Sequence, residues 1–372
     1  MRTVDAAGLP IGDDHPPRIM GVLNVSSESP YDPSVFSDPG EAAAYVDRAL
    51  IDEGADIVDV GLESANKRLE VLPVEGELER LDTACEAIES VSGDAVFSIE
   101  TRYHQVAAAA LSRGFDMVND VCGFADPEMP RVCAEYDVAV AKMASPPDLE
   151  RPGAVERVDD IYEALSLNGF TEKTIVDPAF GSWSEGKTLA DDRETFDRLR
   201  EFRALGRPIL VSINRKNFLR TLAGRSTEEA LAVSLAATSM AVERGAHVIR
   251  THDVRETADA ATIGHAFTPV RARSERAEEL DVHTDRELGR HLAAVGADSA
   301  RGLSRAFSLT LTADDRRALA IAAEGMEGVS MSDTETTILI ATADDVERLS
   351  SAVAADSATL GSRLEDLSDD LY

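Results

Sequence analysis

Short apolar runs of strand length alternate through the first two-thirds of the chain with amphipathic stretches of helical length, the pattern of βαβ units around a parallel sheet. The runs predict strands at Arg18–Val25, Asp56–Gly61, Val96–Glu100, Met117–Asp120, Ala139–Met143, Thr174–Asp177, Ile209–Ser212 and Val248–Thr251. Stretches such as Glu41–Glu53, Val74–Val91, Gln105–Arg113, Val155–Asn168, Asp191–Leu205 and Thr227–Arg244 carry acids on one side and Ala, Leu or Val on the other, and predict the helices between them. Gly54, Gly114 and Gly245 each stand just before a strand, where a helix end calls for positive φ. Eight strands in this alternation close a (β/α)8 TIM barrel, and polar residues collect at the far end of nearly every one.

The alternation stops near Thr268. A charged, linker-like Arg271–Glu279 is followed by helical stretches at Asp285–Val295, Ala313–Glu324 and Ala343–Ala354, with one possible strand at Thr336–Ala341. Residues 1–267 are therefore expected to form the barrel, and 268–372 a mostly helical accessory or oligomerisation extension without assignable chemistry.

Composition sharpens this reading. An apolar fraction of 44% over 372 residues is enough for a substantial core. The 69 acidic residues outweigh 37 basic ones, giving a net charge of −32 that repels nucleic-acid phosphates. Only Lys67, Lys142, Lys173, Lys187 and Lys216 are lysines, so arginine supplies nearly all the positive charge. An acid-rich, lysine-poor chain suits a salt-crowded, halophilic cytoplasm in which self-repulsion is screened. Cys85, Cys122 and Cys133 form no CxxC pair and read as reduced thiols. No stretch reaches transmembrane length, and Met1–Pro17 has acids where a signal peptide needs bases, so a cytoplasmic protein without membrane partners is expected.

The candidate chemistry lies where strands hand over to loops. Ile249-Arg250-Thr251-His252-Asp253-Val254 places an arginine and an imidazole at such an exit, a pairing that points to an anion, and Asn24, Asn119, Asp177 and Lys216 occupy similar exits. Each has an ordinary structural alternative. Asn119 and Asp177 are also turn or cap residues by type, and Arg250 can pair with Asp253 while His252 caps the next helix. Arg215 either lines the anion site or, the reading favoured here, makes a structural ion pair under the rim; Lys142 and Lys187 are read as solvated loop cations, and Cys122 as a small packing residue.

Met20-Gly21-Val22-Leu23-Asn24-Val25, Ser98-Ile99-Glu100-Thr101, Asn119-Asp120-Val121-Cys122-Gly123, Asp177-Pro178-Ala179-Phe180-Gly181, Asn214-Arg215-Lys216 and Arg250-Thr251-His252-Asp253-Val254 together, in this order over residues 18–266, resemble the dihydropteroate synthase family. The resemblance implies condensation of 6-hydroxymethyl-7,8-dihydropterin diphosphate with p-aminobenzoate, giving dihydropteroate and pyrophosphate. A pterin offers an amidine-like edge and a lactam, so it calls for a carboxylate, an amide and a cation. Asp177, Asn119 and Lys216 are expected in those places, with Glu100 where the family usually has Asp. Arg250 and His252 are expected to hold the diphosphate, and a Mg²⁺ near Asn24 to spread its remaining charge. Lys216, Arg250 and His252 are thus the expected catalytic residues. The leaving diphosphate needs no protein nucleophile, because the pterin stabilises the methylene cation that the arylamine attacks. The resemblance also implies a homodimer.

Two loops depart from the family. Ser26-Ser27-Glu28-Ser29-Pro30-Tyr31-Asp32 stretches the usual Thr-Pro-Asp-Ser-Phe-Ser-Asp spacing, and Gly61-Leu62-Glu63-Ser64-Ala65-Asn66-Lys67-Arg68 keeps Glu-Ser but lacks Thr-Arg-Pro. By resemblance these loops form the p-aminobenzoate pocket, with Lys67 and Arg68 available to its carboxylate. The rival readings are a pterin-dependent methyltransferase module, which needs no diphosphate clamp, and a non-catalytic pterin-binding protein.

Overall fold

A computed structural model describes residues 2–26, 34–63, 71–149, 153–181, 186–274, 277–297, 302–332 and 336–369. They form two compact units, Met1–Glu278 and Glu279–Tyr372.

In the first unit eight parallel strands, β1 (Arg18–Asn24), β2 (Ile57–Gly61), β3 (Val96–Thr101), β4 (Met117–Asp120), β5 (Ala139–Met143), β6 (Thr174–Asp177), β7 (Leu210–Val211) and β8 (Val248–Thr251), pair in sequence order, with β8 returning to β1. A single bridge between Val176 and Ile209, with the Val176 amide donating to the Pro208 carbonyl at 2.9 Å, joins β6 to β7 and completes the (β/α)8 barrel. The strands are rich in Val and Ile because both faces are covered. Outward side chains such as Val58, Val60, Ile99, Val118, Val140 and Val176 belong to the layer shared with the helices. Gly54, Gly114 and Gly245 have φ of 104°, 101° and 99°, values open to glycine alone without strain.

The inward residues form layers. At the foot, Met20, Ile57, Val96, Met117, Ala139, Ile175, Leu210 and Val248 make an apolar floor. An N-terminal hairpin, Val4–Ala6 paired antiparallel with Leu9–Ile11, plugs it with Val4, Ala6 and Ile11, all fully buried. Asp13, just past the hairpin, accepts from Arg203 Nη2 and His247 Nε2, each at 3.1 Å, and pairs with Arg271. Above the floor the inward positions turn polar.

Two lysines overturn the expectation of solvated loop cations. In β5 the inward residues are Ala139, Ala141 and Met143, so Lys142 points outward and is fully buried. Its Nζ donates to the carbonyls of Leu165, Leu167 and Gly169 at the end of helix α5 (Val158–Ser166) and lies 4.9 Å from the Phe124 ring centroid. The Lys187 side chain is equally inaccessible, donating to the Ala179 carbonyl at 2.7 Å beside Asp192.

The second unit is the mostly helical extension. Its helices Asp285–Ala294, Ala313–Ala323, Ala343–Val353 and Ala358–Asp369 are joined by a three-stranded antiparallel sheet in which Thr336–Ala341 lies between Arg305–Thr310 and Ser330–Met331. Leu311, Leu319, Leu339, Val346, Leu349, Leu360 and Leu364 make its own core. No helix among the described residues is long and apolar enough to cross a membrane.

Candidate active site

The carboxyl ends of the strands surround a pocket lined by Glu100, Asn119, Asp177, Lys216 and Arg250 with Val121, Met143, Ala179, Phe180 and Ser212. Five residues singled out in the sequence thus meet in one place, delivered by β3, β4, β6, the β7 loop and β8.

Asp177 ends β6 with its Oδ1 accepting from the Ala179 amide at 2.8 Å. Burial pushes its carboxyl up to about 6, against the Ala179 hydrogen bond and the nearby Lys216 and Arg250 cations. Ala179 itself has φ of 60° and Gly181 φ of 102°, so the Asp-Pro-Ala-Phe-Gly turn folds tightly back toward the cavity. Gly181 makes room for Lys216: a Cβ there would meet Lys216 Cδ at 3.0 Å and Nζ at 3.1 Å. Burial, together with Arg250, lowers the Lys216 pKa, which Asp177 opposes.

Arg250 is gripped from below. Its Nε donates to Asp59 Oδ2 at 2.7 Å and its Nη2 to Glu100 Oε2 at 2.6 Å. Burial works against its charge, but Glu100 and Asp59 more than offset this and raise the pKa. Burial in turn pushes Glu100 up to about 7 despite Arg250. Asp253 is not the partner of Arg250. Asp253 accepts from Arg215 Nε and Nη2 at 2.8 and 2.9 Å, so Arg215 forms the structural pair at the rim.

His252 lies two residues beyond Arg250 and is absent from the cavity lining; its amide faces Asn214 Oδ1 at 3.5 Å. Burial and the Arg250 charge push its imidazole down to about 3, so the ring is neutral near pH 7. Asn24 ends β1, and its Nδ2 donates to Ser34 Oγ at 2.9 Å. Its Oδ1 overhangs Gly61, where a Cβ would meet that oxygen at 3.0 Å and Glu100 Oε1 at 3.8 Å. Two hard oxygen donors therefore flank a position only glycine leaves open, a donor chemistry that fits Mg²⁺ completed by water and phosphate oxygens. Among the described residues no cluster of three or more His, Cys, Asp or Glu forms a metal cage.

Asp59 escaped the sequence reading. It is fully buried inside the barrel and also accepts from Asn119 Nδ2 at 3.0 Å. Among the described residues its Oδ1 and the neighbouring Ser98 Oγ find no partner, a cost of order 1–3 kcal/mol for such a group. The available signal was one acid at an inward position of Ile57-Val58-Asp59-Val60-Gly61.

Residues 20–252 match the family of pterin-binding enzymes. The chain is 32% identical over 250 residues to the dihydropteroate synthase of Clostridium beijerinckii, covering 65% of this chain and 91% of that one. It is 30% identical over 267 residues to the Escherichia coli dihydropteroate synthase, covering 67% and 91%. The chain belongs to the dihydropteroate synthase family. A Xanthomonas albilineans dihydropteroate synthase solved with 4-aminobenzoic acid superposes with a TM-score of 0.61 at 31% identity, over 72% of this chain and 98% of that one. A Haloferax volcanii protein named probable bifunctional folylpolyglutamate synthase/dihydropteroate synthase is 38% identical over 270 residues. That stretch is 68% of this chain and 31% of the longer protein, so the chain matches about a third of that relative's length.

Within the family frame, the divergent loop positions 27–33 and 64–70, including Lys67 and Arg68, lie outside the described residues. Cys122 is buried, and burial raises its thiol pKa, as befits a packing residue.

Proposed function

We propose that the barrel is a dihydropteroate synthase of folate biosynthesis, condensing 6-hydroxymethyl-7,8-dihydropterin diphosphate with p-aminobenzoate to give dihydropteroate and pyrophosphate. The observation that carries this reading is the convergence of Asp177, Asn119, Lys216 and Arg250 on one cavity. Asp177 accepts from the amidine edge of the pterin, Asn119 supplies an amide contact, and Lys216 donates to the lactam side. Arg250, held by two carboxylates, offers its remaining guanidinium N–H groups to the diphosphate, with neutral His252 as a further donor.

The charge balance supports a metal requirement. Arg250 and Lys216 face Asp59, Glu100 and Asp177, so the protein alone leaves little surplus positive charge for a diphosphate. Mg²⁺ held by Asn24 Oδ1 beside Glu100 would neutralise the leaving pyrophosphate. Departure of pyrophosphate leaves the exocyclic methylene as a pterin-stabilised cation, and the arylamine nitrogen forms the new bond and loses a proton. Apolar side chains exposed on α8 (Leu231–Glu243) and α9 (Val254–Ala266), namely Met240 and Ile263, support a homodimer through that face. The charge of −32 and the scarcity of lysine support a salt-adapted, cytoplasmic enzyme.

The test is to supply the pterin diphosphate, Mg²⁺ and p-aminobenzoate in molar salt and follow both products. Pyrophosphate and dihydropteroate appearing together, and vanishing in Arg250→Met, is the expected result. Pterin binding without pyrophosphate release would leave a binding protein or a methyltransferase module, and turnover indifferent to Arg250 would remove its role at the diphosphate.

A further inference from the structure

We propose that the second unit is an assembly module: its edge strand Arg305–Thr310 pairs antiparallel with the same strand of a second copy of this chain, joining two three-stranded sheets into one of six strands. This interface is separate from the barrel and independent of the function proposed for it.

Strand Arg305–Thr310, helix Ala313–Ala323, strands Ser330–Met331 and Thr336–Ala341 and helix Ala343–Val353 follow one another in the chain, and in the sheet Thr336–Ala341 lies between the other two strands, antiparallel to both. This is the split βαβ arrangement, in which the second helix ordinarily leads to a fourth strand that pairs with the outer edge of the first. Here the chain enters helix Ala358–Asp369 instead, and that helix packs on Ala343–Val353. Arg305–Thr310 therefore keeps an outer edge that pairs with no strand among the described residues.

Open edges are ordinarily guarded by Lys, Pro or a bulge. Ala306-Phe307-Ser308-Leu309-Thr310 has none of these, and the register of this strand against Thr336–Ala341 runs unbroken over six residues. Phe307 and Leu309 turn toward the helices, while Ala306, Ser308 and Thr310 are exposed on the other side, so a neighbouring strand meets small, uncharged side chains there. In a chain of net charge −32, two copies approach most readily where no acids meet. Charge also fixes the direction. Arg305 stands at one end of the edge, 3.8 Å from Asp285, and the exposed Asp314 just past the other, in the first turn of helix Ala313–Ala323. A parallel copy would set like charges side by side, whereas an antiparallel copy brings each Arg305 to the acidic end of the other. A second copy is thus an occupant whose charges match this edge at both ends.

Opposed residues of an antiparallel pair point to the same side, so the full-length overlap centres on Phe307 or Ser308. Ser308 then faces its own counterpart or Ala306 of the second copy. Ser308→Cys alone, or mixed with Ala306→Cys, puts thiols within disulfide reach across that axis, while the native Cys85, Cys122 and Cys133 are buried. Ile338→Cys, opposite Ser308 within one sheet and exposed, would lie three strand spacings from its counterpart, about 14 Å and out of reach. Oxidising the full chain in molar potassium chloride should link most of S308C, alone or with A306C, into dimers at least tenfold faster than I338C. Single chains throughout would mean that the edge stays open, and equally fast linking of I338C that the sheets meet face to face; either result overturns the proposal. Hydrogen exchange supplies a second measurement. Ser308→Lys sets two ammonium groups together at the centre of the interface, so the outward amides of 305–310 should exchange at least tenfold faster in S308K than in the wild type, with those of 336–341 unchanged. Equal exchange along the edge overturns the proposal even if the thiol variants do not fold.

Discussion

Replacing Glu100 with glutamine should change how stability depends on pH, by an amount the structure sets. Glu100 has a pKa near 4.5 as a free side chain and about 7 in the folded barrel, because burial outweighs the attraction of Arg250. The folded state therefore holds the Glu100 proton more tightly than the unfolded state. Its contribution is fully present below about pH 4.5 and is lost as pH rises through about 7. At about 1.4 kcal/mol per pH unit across that window, the loss comes to about 3 kcal/mol. Glutamine has no proton to lose. Between pH 4.5 and 8, E100Q should thus gain about 3 kcal/mol relative to the wild type, while Glu77, Asp120 and Asp177, also raised by burial, titrate in both proteins and cancel. Urea unfolding at five pH values in molar potassium chloride measures the difference, since a pair this buried is little screened. Two stability curves that stay parallel within about 1 kcal/mol would refute the reasoning.

Gly181→Ala should raise the KM for the pterin substrate and lower the melting temperature, because the added methyl meets Lys216 Cδ at 3.0 Å at a φ of 102°; an unchanged KM would show that Lys216 does not need that space. Lys142→Met strips three carbonyls of α5 and its following loop of their donor, and should cost about 2–4 kcal/mol in unfolding free energy while leaving pterin affinity intact. An affinity loss without a stability loss would contradict that anchoring role. Dilute buffer should lower the unfolding midpoint relative to molar salt, since a net charge of −32 is screened over about 3 Å at 1 M; equal midpoints would remove the argument for salt adaptation.

The barrel was legible because parallel strands covered on both faces are written as unbroken runs of Val and Ile. Met117–Asp120, Ala139–Met143, Thr174–Asp177 and Val248–Thr251 end where the pattern says they should. Ile209–Ser212 shrinks to Leu210–Val211, since β7 meets β6 through one bridge only. The N-terminal hairpin escaped notice because three-residue strands show no periodicity, and Arg305–Thr310 because one of its faces is exposed and the other only partly buried. Helices Met129–Glu135 and Val254–Ala266 carry mostly small or mixed residues, so their apolar faces hardly stand out.

Side-chain direction was the harder matter. Lys142 and Asp59 both sit within strands, and one is an anchor for a helix while the other lies beneath the ligand cavity. Counting in twos from Ala141 and from Ile57 separates them, because successive residues of a strand face opposite sides. What counting cannot supply is partner choice. That Arg250 would turn to Asp59 and Glu100, leaving Asp253 to Arg215, depends on positions far apart in the chain.

The plug at the foot of the barrel also bears on biogenesis. Val4, Ala6 and Ile11 precede the first barrel strand, yet the floor they complete includes Leu210 and Val248, about two hundred positions later. Without β7 and β8 the floor under this hairpin is incomplete, so sealing the base is a long-range closure that carries a large loop entropy. Any segment joined ahead of the hairpin emerges at the foot of the barrel, opposite the pocket at the carboxyl ends of the strands.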